Sequence, residues 1–390
     1  MNILFYCSEY PPYKSGGIGT VTKIVAEELA RLGHNVNVIG YYHDISDSFV
    51  DEKINGVRVI RYNLGYRNTR FKERIFFLLK HLNLNDFIIK RELSFIEYRI
   101  DIFIRENKID ILELTDYYPF VLCNSSLEFK KFPVPTVLRI HGSASYVENL
   151  SGRGKIAYDM NDQRHFQRCD HVLGVSEYSM SYVKNKFHLP QIKSWNVIYN
   201  PIEDSFLQKS SPVDNDNILF AGKLTETKGC FSLIKAFNIC AEQHPNLQLR
   251  LAGKGDEYLL KSMIDSRFVD RVRFLGYCDR EKLKEEIDNC SFACIPSYFE
   301  NFSMVPLEIM GRAKTLIYTE RTSGKEIVDD GVSGFLVNPD NIHEIASKIM
   351  NLLASHKLRD TMAEKAYEKV VSTFTVSRIV DLLERYYLAL

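Results

Sequence analysis

Short apolar runs alternate with helix-patterned stretches along almost the whole chain, and this alternation narrows the fold more than any other feature. In the first half the runs fall at 3–7, 36–41, 57–62, 109–114, 136–140, 171–175 and 195–199; in the second, at 217–221, 247–252, 272–275, 290–295, 315–318 and 334–337. Strand and helix in alternation signal parallel sheets covered by helices, so the expected class is α/β. The length of 390 residues leaves room for two such domains. The polar stretch 202–217, after Asn200-Pro201, reads as the connection between a domain at 1–199 and another at 200–373. A closing segment, 374–390, carries Ile379, Leu382, Leu383, Tyr386 and Tyr387 at helical spacing.

Composition removes several function classes. Hydrophobic residues make up 45% and charged residues 26%, which excludes a disordered or fibrous chain. Fifty basic and fifty acidic side chains cancel, so the overall field gives no reason to expect a nucleic-acid partner. Eight scattered cysteines without a C-x-x-C pair argue for reduced thiols in a cytosol and against a zinc site; Cys290 and Cys294 read as core. The apolar run at the N-terminus is too short for a signal peptide, and no window approaches the ~18 uncharged apolar residues of a membrane span. The expectation is a cytoplasmic protein, soluble or peripheral at the inner face of the plasma membrane.

The chemistry is expected after the strand at 290–295. There Glu300-Asn301-Phe302-Ser303-Met304-Val305 leads into a helix over 305–313 with Pro306 in its first turn, where a missing N–H costs little. Strand, loop and helix start deliver unpaired N–H groups to a strand's carboxyl end, a place suited to a diphosphate. Glu300 enters before that anion site and Glu308 sits inside the first helical turns; a capped helix with an acidic residue near its positive end fits the same spacing. Two lysines, in Gly222-Lys223-Leu224-Thr225-Glu226-Thr227-Lys228-Gly229, follow another strand and would neutralise such an anion, or form a solvated turn. In the first half, Gly16 and Gly17 follow an extended loop, and Gly17-Ile18-Gly19-Thr20-Val21-Thr22 lacks the third glycine of a dinucleotide-binding turn, which disfavours a dehydrogenase. His141 stands at the end of the strand 136–140, where open α/β sheets bind ligands, although a lone histidine is also a common structural residue. Ser176 and Glu177 end the next strand, and the serine can equally cap a helix.

Taken in order, these stretches resemble the retaining glycosyltransferases of family 4, which have the GT-B fold of two Rossmann-like doubly wound domains facing across a cleft. The resemblance spans nearly the whole chain: the Glu-x7-Glu pair at Glu300 and Glu308, a Gly-Gly element at Gly16-Gly17, a "VSxxS" element at Val175-Ser176, "GRLxxxKG" at 222–229, "FLG" at Phe274-Leu275-Gly276, "GGxxE" at 322–326 and "DGxxGxLV" at 330–337. It implies that Glu300 meets the donor sugar and Glu308 the nucleotide ribose, that His141 lies near the reacting sugar, and that Gly16 and Gly17 approach the diphosphate. Lys223 and Lys228 would help the nucleoside diphosphate leave; Lys223 replaces the commoner Arg, keeping charge without the bidentate grip. Backbone at Gly222, Gly276 and Tyr277 would border the nucleotide, with Tyr277 either stacking on the base or facing solvent. Asn301, Phe302, Ser303, Met304 and Val305 complete the expected donor site. The closing helix would cross back to the first domain.

Residues 61–108 hold eleven Lys/Arg against six Asp/Glu, interleaved with Phe71, Phe76, Phe77, Phe87, Phe95 and Phe103. They read as a solvated basic helix pair packed through its aromatics, or as a peripheral contact with an anionic membrane bearing a lipid-linked acceptor.

With no Asp-x-Asp motif in a convincing strand-end position, no metal or other cofactor is expected. The function that follows is a retaining, metal-independent transfer of a hexose from a nucleoside diphosphate sugar to a saccharide or lipid-linked saccharide acceptor, in polysaccharide or glycan synthesis. UDP-glucose is the first donor by family frequency. A sugar-nucleotide epimerase on the same fold and a non-catalytic nucleotide-sugar-binding protein are the rival readings.

Overall fold

The computed structural model describes residues 1–12, 16–42, 45, 47–63, 74, 78–79, 85–150 and 152–390. These form two compact units, Met1–Pro201 with Ile379–Leu390, and Ile202–Arg378.

The first unit runs β1 (Asn2–Tyr6), α1 (Gly17–Arg31), β2 (Asn35–Tyr42), β3 (Phe49–Ile54), β4 (Val57–Asn63), α2 (Asp86–Glu106), β5 (Ile111–Thr115), β6 (Thr136–Ile140), α3 (Ala144–Leu150), α4 (Ile156–Gln167), β7 (His171–Gly174), α5 (Glu177–Lys186) and β8 (Ser194–Val197). Its sheet has the order β3-β4-β2-β1-β5-β6-β7-β8, every pair parallel except β3 with β4. The central strands are apolar because helices cover both faces; Ile3, Leu4, Leu112 and Leu138 have no exposed surface. Helix α2 buries Ile89, Leu93, Ile96, Ile100 and Ile104, a stripe at helical spacing.

Strand β3 escapes a search for apolar runs because it reads Phe-Val-Asp-Glu-Lys-Ile and lies at the sheet edge, where charge discourages further pairing. Its signal is the turn instead: Asn55-Gly56, with φ of 47° and 90°, is the two-residue hairpin connection that favours right-handed strand twist.

The second unit contains β9 (Asn217–Ala221), α6 (Cys230–Ala241), β10 (Gln248–Ala252), α7 (Glu257–Ser262), β11 (Val272–Gly276), α8 (Arg280–Asp288), β12 (Phe292–Ile295), α9 (Met304–Gly311), β13 (Thr315–Thr319), α10 (Gly324–Ile327), β14 (Phe335–Val337), α11 (Ile342–Ala354) and α12 (His356–Thr373). Its strands are all parallel, in the order β11-β10-β9-β12-β13-β14. Cys290 and Cys294 are fully buried, and all eight cysteines are free thiols.

The stretch 202–217 is not an open connection. Ile202 and Phe206 are fully buried, Ile202 N donates to Phe374 O at 2.8 Å, and Ser210 N donates to Arg312 O at 3.0 Å. Two apolar side chains among Ser, Asp and Pro are enough to bind this segment to the second unit. The chain ends in α13 (Val376–Leu388), whose Ile379, Val380, Leu383 and Tyr387 are buried while Leu382, expected on that stripe, is 43% exposed. The Tyr387 hydroxyl donates to the buried Glu113 carboxylate on β5, and His34 Nε2 lies 2.7 Å from Glu384 Oε1, so this helix belongs to the first unit.

Candidate functional site

In the second unit the strand order turns back between β9 and β12, and the loops leaving these strands meet there. Such a switch point at the carboxyl ends of parallel strands is where open α/β sheets bind ligands. Tyr298 N donates to Thr227 O at 3.0 Å, joining loop 296–303 to loop 222–229. Gly229, at φ 76°, comes so near that a Cβ would lie 1.9 Å from Pro296 O; any side chain would push the loops apart.

This closeness brings Lys228 Nζ to 2.7 Å from Glu300 Oε2. Ser297 Oγ donates to Glu300 Oε1 at 2.9 Å, Glu300 N donates to Thr322 Oγ1 at 3.2 Å, and Ser323 Oγ donates to Glu300 O at 3.3 Å. The carboxylate is therefore held from both sides and along its main chain. Its side chain is 8% exposed against 31% for Lys228, so the ammonium is the more accessible partner. A fixed carboxylate can accept from sugar hydroxyls, and a cation beside it can meet a phosphate.

Helix α9 begins just beyond. Ser303 takes the N-cap conformation but its hydroxyl makes no capping bond, and Pro306 occupies the third helical position. Ser303, Met304 and Val305 are partly accessible, as is Asn301. Phe302, by contrast, is buried, its ring centroid 5.7 Å from that of Phe374, so its side chain serves the core and only its main chain is placed to meet a ligand. Glu308 is also buried; Arg280 Nη1 lies 3.2 Å from its Oε1, and Arg280 Nη2 lies 2.6 Å from Glu203 Oε2. Burial pushes the Glu308 carboxyl up from its usual range, opposed by the Arg280 charge.

Lys223 is exposed and makes no ion pair among the described residues. Gly222 N donates to Ala252 O, and Gly253 N to Gly276 O, so Gly222 and Gly276 lie at the ends of β9 and β11, on either side of β10. Tyr277 is 70% exposed, and Lys254 Nζ lies over its ring, 5.3 Å from the centroid.

The first unit carries the remaining expected residues. Gly16 precedes α1 and its N–H donates to Glu9 Oε2 at 3.2 Å. A Cβ at Gly17 would touch nothing within 4 Å, whereas at Gly19 it would lie 1.9 Å from Glu9 O. Packing thus requires Gly19, while nothing within the described chain requires Gly17. His141 is partly buried after β6, and desolvation, helped by the Arg139 charge, holds its imidazole down to about 3. It is neutral at ordinary pH. Asp116, at the end of β5, accepts both His141 N and Gly142 N at 2.8 Å. Ser176 is fully buried and forms a reciprocal cap with Ser179 at the start of α5; its role is the capping one, and it does not line an open site.

The sequence did not single out Ser297, Thr322, Arg280 or Asp116 as supports of the site. Ser297 stands three residues before Glu300, a proximity that could have marked it, and Thr322 opens the motif at 322–326 without having been linked to Glu300; Arg280 and Asp116 act across helices and strands with no local pattern. Of the basic aromatic segment, 64–73, 75–77 and 80–84, with Phe71, Phe76 and Phe77, lie outside the described residues. Among the described residues no helix is long and apolar enough to cross a membrane.

Two family models divide the chain between them: "Glycosyltransferase Family 4" matches residues 15–206 and "Glycosyl transferases group 1" matches residues 202–369. The chain belongs to glycosyltransferase family 4. An uncharacterized glycosyltransferase of Methanocaldococcus jannaschii is 28% identical over 97% of this chain and 96% of its own. Sucrose-phosphate synthase from Thermosynechococcus elongatus superposes with a TM-score of 0.79 at 18% identity, covering 100% of this glycosyltransferase and 98% of the synthase. Anabaena HepE, solved in complex with UDP and glucose, gives a TM-score of 0.70 at 18% identity with both chains covered in full. The fold of this family 4 member is GT-B, two parallel-sheet α/β units of the kind described above.

Proposed function

We propose that this glycosyltransferase moves a hexose from a UDP-sugar, with glucose the first choice, to a saccharide or lipid-linked saccharide acceptor in glycan synthesis, with retention and without a metal. The observation that carries this reading is the Lys228–Glu300 pair beside the uncapped start of α9 at the sheet's switch point. The complex of HepE with UDP and glucose supports the choice of donor.

On this reading the diphosphate charge is met by Lys228, by the exposed charge of Lys223 and by the first amides of α9, electrostatics aimed at where charge develops as the donor breaks. The bond between the sugar's anomeric carbon and the phosphate oxygen breaks with its electron pair going to that oxygen. The acceptor hydroxyl bonds to the same face of the carbon, and its proton passes to the departing phosphate oxygen, giving the retained glycoside and UDP. Glu300 accepts hydroxyl hydrogen bonds from the sugar and holds it in place; it is not the nucleophile. Glu308 takes the ribose hydroxyls, and neutral His141 donates to or accepts from the sugar without changing charge.

A thermal-shift panel of UDP-, GDP- and ADP-sugars tests the donor. A ligand bound only by the folded chain at a hundred times its Kd adds about 2.7 kcal/mol, so UDP-glucose should give the largest rise in Tm with or without EDTA. A larger rise with a GDP- or ADP-sugar, or a rise abolished by EDTA, would overturn the corresponding part.

A further inference from the structure

We propose that Asp116 and Asp162 are positioning residues for this reaction, two buried carboxylates that grip the main chain of the segment 141–145, which runs from β6 into α3, and so set the place of the His141 ring. The proposal rests on the reading of His141 as a donor-sugar contact.

Asp116 leaves β5 with no exposed surface, and its own N–H donates to Arg139 O at 3.0 Å, which fixes it against β6. Each of its carboxylate oxygens takes one N–H: Oδ1 that of His141 and Oδ2 that of Gly142, both at 2.8 Å. Asp162, on α4 and equally buried, accepts Ser145 N through Oδ2 at 3.1 Å. Three amides between 141 and 145, where the chain leaves β6 and enters α3, are therefore held by carboxylates from two separate elements. Neither carboxylate has an ion-pair partner among the described residues, although a buried charge is ordinarily neutralised by one. Burial of two like charges this close costs folding energy that an amide or hydroxyl in the same role would avoid. Sites that work against stability in this way are characteristic of function.

The titratable and charged groups around the pair are Tyr117 beside Asp116, Arg139 of β6 and His141 just after it, Asp159 and His165 from α4, and Tyr182 and Lys186 of α5, the lysine paired with Asp159 at 2.7 Å. Both histidines are held neutral by desolvation, His141 down to about 3 and His165 well below its ordinary value. Desolvation raises each of the two aspartates to about 7, with the Asp162 charge adding to the effect on Asp116 and the Asp159 charge to that on Asp162. Protons leave such a pair in coupled steps that belong to both groups. An ionised Asp116 accepts two N–H groups; protonated, one oxygen becomes a donor and a poorer acceptor. The loop's hold on His141 therefore tightens as pH rises through about 7. Stability moves the other way. A carboxyl raised above its unfolded value of 3.8 binds its proton more tightly in the folded chain, so its contribution to stability falls as pH climbs from about 4 to about 7.

The test follows the His141 ring carbon by NMR between pH 5.5 and 9 in the full chain, alongside nucleotide release from the nucleotide sugar that gives the largest thermal shift. The wild type should show a small His141 shift with a midpoint near 7 and kcat rising through the same pH. In Asp162→Asn the midpoint should fall, because a charged neighbour is gone. In Asp116→Asn it should vanish, with kcat down roughly 10–100-fold and donor KM little changed, as expected for misplacement of a catalytic group. A His141 shift that is flat from pH 6 to 8, one with the full displacement of ring protonation, or an Asp162→Asn midpoint equal to the wild type would overturn the proposal. A His141→Ala variant with wild-type kcat would overturn instead the reading of His141 as a sugar contact, leaving the NMR result to judge the two aspartates.

Discussion

Lys228 Nζ stands 2.7 Å from Glu300 Oε2, although 71 residues lie between them in the chain. The two loops that carry them are drawn together at Gly229 and by the Tyr298–Thr227 hydrogen bond, so the pair is a product of the sheet's strand order.

Glu300→Ala removes the carboxylate that the account assigns to the donor sugar. Transfer should fall by at least about 100-fold, the scale of losing a positioned contact at the reacting group, while UDP affinity changes only a few-fold. Steady-state rates and UDP calorimetry on the same sample check both halves; full transfer activity would remove Glu300 from the mechanism.

Arg280→Gln leaves Glu308 buried without its counter-charge. Breaking such a pair costs about 3–5 kcal/mol when both partners are buried, but Arg280 is 39% exposed, so screening reduces the expected loss to about 1–3 kcal/mol in urea unfolding at pH 7. The sign with pH is definite. Burial already raises the Glu308 carboxyl, so the uncompensated charge disappears on acidification and the penalty should shrink as pH falls toward 5. A penalty that grew on acidification would contradict the assignment.

Much of the architecture was legible because buried parallel strands are continuous apolar runs, and all the strands but β3 announced themselves in this way. The Asn55-Gly56 turn would have revealed β3 where hydropathy could not. Lys228 and Glu300 were each marked by a local motif, and the structure sets them side by side. What holds them was not legible: Thr322 meets Glu300 from a different loop, Arg280 reaches Glu308 from a different helix, and Asp116 meets the His141 main chain across two strands. Contacts of this kind depend on register and chain crossing, which leave no periodic trace. Phe302 is the converse case: its side chain is spent on the core, and what the motif expects of it rests on its main chain.

The outward face of α2 exposes Phe87, Lys90, Arg91, Phe95 and Tyr98, while Glu92, Glu97 and Asp101 on the same helix are turned inward and buried. Arg91 Nη2 lies 3.2 Å from Glu92 Oε1, so part of its charge is met within the helix; the remaining aromatic and basic face suits an anionic bilayer, a free cation contributing about 1 kcal/mol at the surface. The chain should sediment with phosphatidylglycerol vesicles and not with phosphatidylcholine vesicles, and Lys90→Glu/Arg91→Glu should release it. Equal sedimentation of that variant would show the face to be a solvated one.

Tyr387→Phe removes the hydroxyl that donates to the buried Glu113 carboxylate, leaves it, among the described residues, only the Arg139 guanidinium 3.7 Å away, and should cost about 1–3 kcal/mol. Thermal melts of the two proteins measure it; an unchanged Tm would mean that the closing helix is held by its apolar face alone.

The central claim, that a nucleoside diphosphate is gripped by Lys228 and the start of α9, is tested most directly by calorimetric titration of UDP into wild-type and Lys228→Ala protein. A charge-assisted contact of about 1.5–3 kcal/mol corresponds to a rise in Kd of roughly 10–150-fold, and that is the result expected. The same Kd in both proteins would contradict the account.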